Sequence, residues 1–237
     1  MAGDSVEKFI RLLKKSPPGA VFNPWWQVDK QNDIGRNSPG IRRKQLGAYL
    51  RKRLGKTKLA VIGEAVGYRG GHFSGIPMTS ERMLVGKKKD DGIEPEQVFS
   101  SPAAAGPRRT SKPHKCRDGF SEPTATIVWS TLLKLGFPPE QFVLWNAFPW
   151  HSFDPRRGML SNRTPTKKEQ AAGLSVLKAF LDLFPCDEIV ALGKVAALQL
   201  KELDVEMHRV RHPASGGAKL FRRQIAKILR GFSSGDR

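Results

Sequence analysis

Cysteine is nearly absent: the chain has two in 237 residues, Cys116 and Cys186, far apart and in no CxxC pair. That excludes an iron–sulfur cluster and a Cys-based zinc site, so no metal and no cofactor is expected, and a reducing cytosol is the natural home. Long apolar runs are also missing, since none approaches the roughly 18 residues of a membrane span. The N-terminus lacks the apolar core and small-residue cleavage site of a secretory signal. Acidic residues are scarce beside basic ones, 22 against 41, which leaves a net charge of +19 and a pI near 10.3. So extreme a balance speaks about partners rather than fold, with nucleic acid first and an anionic membrane surface second. The length suits one good core, hence a single α/β domain with decorated loops.

What the chain does have is the stretch Lys58 to Gly75, KLAVIGEAVGYRGGHFSG. Leu59 to Ile62 is a short continuous apolar run, the pattern of a strand buried on both faces. It stops at Gly63, and further glycines fall at 67, 70, 71 and 75. Glycine permits positive φ and lets a group approach the backbone where a Cβ would stand. Among these glycines sit Glu64, Tyr68, His72 and Phe73, a mixture for which a linker has no use.

Taken in order, residues 4–15 predict an amphipathic helix, and Ser16-Pro-Pro-Gly19 ends it. Trp25 and Trp26 follow in an aromatic segment that best suits burial over a sheet edge. A helix over Ile41–Leu54 carries Arg42, Arg43, Lys44, Arg51, Lys52 and Arg53, a set that fits a solvated face or a phosphate-facing one. Residues 85–121 keep neither helical nor strand period and read as a long mobile loop or a clamp ordered by a partner. Glu122 to Gly136 is a helix with Pro123 in its first turn and Gly136 just past its end. A second buried strand, Phe142–Trp145, runs into Asn146. A helix over Pro165–Phe184, a strand over Glu188–Leu192, a helix over 194–203 and a strand around Glu206–Val210 complete the alternation. The last strand ends in Arg211-His212-Pro213, and a final helix spans about 218–231.

Strands alternating with helices predict an α/β fold: a three-layer α/β/α sandwich around a central, mostly parallel four-stranded sheet. Ligands in such sheets bind at the carboxyl ends of the strands, so Glu64, Asn146 and His212 should gather at one edge. A carboxamide both donates and accepts, which lets Asn146 read a ring edge with adjacent carbonyl and N–H groups, as uracil offers at O4 and N3. Phe73 can supply a stacking plane. His212 can donate to an oxygen on which negative charge develops. Each has a bland reading alone, as turn residue, core ring or structural imidazole, and the joint arrangement carries the argument.

Three motifs, in order along residues 58–230, resemble those of the uracil-DNA glycosylase superfamily. Gly63-Glu-Ala-Val-Gly67 is similar to the Gly-Glu-Ala-Pro-Gly form of the iron–sulfur branch, Trp145-Asn146-Ala147 to the uracil-reading segment, and Arg211-His212-Pro213 to the His-Pro motif. The resemblance implies a uracil-binding set of Gly63, Glu64, Ala65, Phe73, Asn146 and His212, with Glu64 and His212 catalytic. The cluster cysteines of that branch are missing. The aspartate that places the attacking water in the best-known branch is replaced by Ala65, which leaves Glu64 to place it. The tyrosine that excludes the thymine methyl is replaced by Gly67, which passes that role to Tyr68 or Arg69. The wedge leucine expected four residues after the histidine is Gly216, so Lys219 or Leu220 would fill the vacated stack, with Arg211, Ser215 and Arg222 on the DNA.

The resulting expectation is a monomeric base-excision glycosylase acting on uracil-containing DNA, without a membrane partner, in the cytoplasm near the bacterial nucleoid. Its parts would be a helical extension over 1–57, a glycosylase-like domain over 58–231 and a disordered tail over 232–237. The same fold retaining uracil-DNA binding without turnover, or trapped on its product, is the alternative. A dinucleotide-dependent oxidoreductase also opens with strand and glycines, but residues 76–98 supply no second apolar strand ending in a ribose-binding acid.

Overall fold

The computed structural model describes residues 2–99 and 109–234. Its centre is a four-stranded, all-parallel sheet in the order β3-β2-β5-β6, made of β2 (Leu59–Ala65), β3 (Phe142–Phe148), β5 (Glu188–Leu192) and β6 (His208–Val210). Leu59, Ala60, Val61 and Ile62 are all fully buried although their side chains alternate between faces, so helices must cover both sides. The helices of this cover include α1 (Ala2–Leu12), α2 (Ser38–Arg53), α6 (Pro123–Lys134), α7 (Lys167–Leu183), α8 (Gly193–Lys201) and α9 (Ala218–Ser234). The α/β sandwich expected from alternation is the architecture found. A two-stranded antiparallel ribbon, β1 (Val21–Phe22) with β4 (His151–Ser152), is too short to show a period and was missed.

β3 is an edge strand, and its outward backbone groups need partners. α2 supplies them: the Tyr49 hydroxyl accepts from Leu144 N–H at 2.7 Å, and Arg53 Nε donates to Phe142 O at 2.8 Å. Arg53 also donates to the carbonyls of Tyr49, Val98 and Gln97, and it lies 3.8 Å from the Tyr49 ring centre. Arg42 is equally enclosed, paired with Asp33 at 2.6 Å and hydrogen bonded to Pro24 O, Gln27 O and Thr110 Oγ1. Two of the six basic residues on α2 are therefore internal connectors. This corrects a wholly solvated or phosphate-facing reading of that helix.

The polar insert is also ordered by this chain's own groups where it is described. It holds a 3₁₀ turn at Lys89–Asp91 and the single-turn helix α5 (Pro95–Val98), while residues 100–108 lie outside the described residues. From Arg109 onward it is tied to Glu81 of the short helix α4 (Glu81–Leu84). The Glu81 carboxylate accepts from Thr110 N, Ser111 N, the Ser111 hydroxyl and Phe120 N. A fully buried carboxylate with four donors stays in place because losing them would strand a charge away from water. At the other end, α9 continues to Ser234, past the boundary expected at 231, and residues 235–237 lie outside the described residues.

Candidate active site

At the carboxyl edge of the sheet lies a cavity of about 400 Å³. β2 contributes Gly63, Glu64 and Ala65 to its wall, followed by Val66 and Gly67; β3 contributes Asn146; the loop after β6 contributes His212 and Ala214. The three groups expected to gather are thus brought together. Gly63 and Asn146 are direct register partners on adjacent parallel strands, and such partners share a face of the sheet. A Cβ at position 63 would stand 2.7 Å from Asn146 Nδ2 and 3.1 Å from Met78 Sδ. A glycine at this place in β2 is required by the amide beside it.

Asn146 is buried, and its Oδ1 has no hydrogen-bond partner. An enclosed acceptor left without a donor costs on the order of 1–3 kcal/mol, which a ligand N–H entering the cavity would recover. His212 has the complementary character. Its Nδ1 accepts from Ala214 N–H at 3.1 Å, so the neutral ring carries its proton on Nε2, where it can donate. Burial, assisted by the neighbouring Arg211 charge, lowers the His212 pKa and favours that neutral form. Gly193, at φ +85°, turns the chain after β5 next to the His212 Cβ.

Other expected residues lie elsewhere. Phe73 is fully buried and is not part of the cavity wall. The single-turn helix α3 (Gly71–Ser74) turns it inward, Thr110 Oγ1 donates to its carbonyl at 2.7 Å, and Phe120 stacks on its ring at 4.6 Å and 5°. A base stacked on that face would have to take the place of Phe120. Tyr68 and Arg69 are also outside the wall: Tyr68 N–H donates to Asn162 Oδ1, the ring sits edge-on to Phe120, and Arg69 Nε donates to the Tyr68 hydroxyl. Gly67 itself is in the wall. Arg211, Ser215, Lys219, Leu220 and Arg222 are all exposed around the His212 loop and the start of α9, with Leu220 at 37 % exposure.

Behind the glycine-rich turn runs a buried polar chain. His151 Nε2 donates to Ser161 O at 2.7 Å, and the His151 and His72 rings meet Nδ1 to Nδ1 at 2.9 Å. His72 Nε2 then faces Asp29 Oδ2 at 3.2 Å. Burial would raise the Asp29 pKa, but hydrogen bonds from His72 and Asn32 outweigh it and hold the carboxyl at about 2. Burial drives His151 down to about 3. His72, expected only as one polar residue among glycines, is therefore a clamp between the turn and the β1–β4 ribbon.

Residues from outside the motifs complete the wall: Met78, Thr124, Ser152, Asn162, Arg163 and Thr164. Arg163 is committed to Glu169, two bonds of 2.7 Å within the cap of α7. Glu122, read from sequence only as the start of a helix, also lines the wall. Among the described residues no group of three or more His, Cys, Asp or Glu could hold a metal ion. No described helix is long and apolar enough to cross a membrane.

Fold and site together define an α/β/α protein whose strand ends and adjoining loops bring an amide, an imidazole and two carboxylates to one cavity. The family model of the Uracil DNA glycosylase superfamily matches residues 53–229, and the chain belongs to that superfamily. The crystal structure of wild-type SMUG2 from Pedobacter heparinus superposes with a TM-score of 0.64 at 14% identity, covering 98% of each chain. That likeness establishes the shared fold. A search of curated proteins found no match.

Proposed function

We propose that the protein flips uracil out of DNA and hydrolyses its N-glycosidic bond, leaving an abasic site. The observation that carries this reading is the unpartnered Oδ1 of Asn146, enclosed in the same cavity as His212. Oδ1 accepts from uracil N3–H while the amide nitrogen donates to O4. Cytosine presents a lone pair and an amino group at those positions, so the match would be lost. His212 Nε2–H donates to O2 as negative charge collects on the departing base, the leaving-group counterpart of an oxyanion hole. The net charge of +19 supplies affinity for the phosphate backbone, and the exposed Arg211, Lys219 and Arg222 grip the strand around the flipped nucleotide. Leu220 is the side chain proposed to enter the vacated stack.

Ala65 favours the second reading, a uracil-DNA binder that does not turn over. It lines the cavity where the best-known branch of the superfamily carries an aspartate, and a methyl group cannot hold water. Asn146→Ala separates recognition from general DNA binding. On the proposed reading it loses at least about 100-fold in single-turnover excision of uracil while affinity for undamaged DNA stays within twofold. Unchanged excision by this variant would remove Asn146 from recognition.

A further inference from the structure

Hydrolysis of a glycosidic bond needs a water at C1′ and an acceptor for one of its protons. Of the cavity's carboxylates, Glu64 and Glu122, only Glu122 has an oxygen closed off from solvent and without a hydrogen-bond partner. Among the described residues no salt bridge involves it, and Arg163, the cation in the wall, is held by Glu169. The glycine-rich turn is shaped around this side chain. A Cβ at Gly67 would stand 3.1 Å from Glu122 Oε1, and one at Gly70 would stand 1.9 Å from Oε2. Two glycines of the turn after β2 thus make room for a carboxylate that arrives from the far side of the polar insert.

We propose that Glu122 is the catalytic base that holds and deprotonates the attacking water, the task Ala65 cannot perform. This assignment rests on the glycosylase reading above. The C1′–N1 bond breaks and its electron pair leaves with the uracil anion, whose O2 is held by His212. A water oxygen bonds to C1′, and its proton passes to Glu122. The proton is then delivered to the uracil anion through solvent, which returns the carboxylate to its starting state. The products are an abasic sugar hydroxyl and neutral uracil.

Glu122 is suited to this by its surroundings. The other titratable or charged groups in the wall are Glu64 on β2, Arg163 before α7 and His212 after β6. None of them offsets its burial, and burial alone pushes the carboxyl up to about 7. A base with that pKa is half ionised at neutral pH and a far better proton acceptor than an exposed glutamate.

Single-turnover excision from a uracil-containing oligonucleotide between pH 5 and 9 tests this on the wild type, Glu122→Gln and Glu122→Asp. The wild-type rate should rise tenfold per pH unit to a plateau with a midpoint about pH 7. Glu122→Gln should be at least about 100-fold slower at pH 8 and lose that rise, with affinity for uracil-DNA retained. Glu122→Asp keeps the charge but draws it back by one methylene, so it should keep the rise at a rate at least about tenfold lower. Cleavage by the wild type, with either variant matching its rate and profile, overturns the role of Glu122 alone. No cleavage by the wild type at any pH overturns the glycosylase reading and this role with it.

Discussion

Replacing Glu122 by glutamine has a consequence for stability that is independent of any substrate. In the unfolded chain its carboxyl titrates near its ordinary value of 4.5, whereas burial in the fold raises it to about 7. The folded state then holds a proton that the unfolded state has released, and stability falls as pH rises through that window. Below about 4.5 both states are protonated and the group contributes nothing to the pH dependence. Above about 7 the full difference applies, about 3 kcal/mol. Urea unfolding of both proteins at pH 5 and pH 8.5 measures this as a difference of differences, which cancels every other titrating group. Wild type should lose about 2–3 kcal/mol more than Glu122→Gln between those pH values. Parallel loss by the two proteins would mean that water solvates the carboxylate freely, and the case for a primed base would fail.

Three further outcomes follow from the same geometry. Gly63→Ala places a methyl 2.7 Å from Asn146 Nδ2, so it should cut uracil excision about 100-fold while thermal unfolding shows a loss of only about 1–3 kcal/mol. Arg42→Ala strands the buried Asp33 carboxylate, and urea unfolding should register a loss of about 3–5 kcal/mol. His151 is held neutral down to about pH 3 in the fold but ionises near 6.5 when unfolded. Its contribution to stability is complete above pH 6.5 and is lost as pH falls toward 3, so acid unfolding of His151→Gln should be shallower across that range than wild type.

The sheet and its order of elements were legible because buried parallel strands are short apolar runs ending at glycine or a polar residue, as at Ile62–Gly63 and Trp145–Asn146. Their convergence on one edge follows from topology, and Glu64, Asn146 and His212 do share a cavity. Glu122 was not legible. It sits one position before a helix-starting proline, where an acidic residue is ordinary, and nothing local says that a turn some 50 residues earlier leaves a gap for it. The arginines of α2 misled for the same reason, since composition counts charge and cannot show that Arg42 and Arg53 are tied to Asp33 and to backbone carbonyls. Phe73 looked free to stack because its cover, Phe120, comes from an insert without periodicity, which a buried carboxylate at Glu81 holds in place.

The central claim is tested most directly by incubating excess protein with a labelled oligonucleotide containing one uracil, treating with alkali, and running a thymine strand alongside. The account predicts strand cleavage at uracil alone. An intact uracil strand with the protein bound to it, or equal cleavage at thymine, would contradict it.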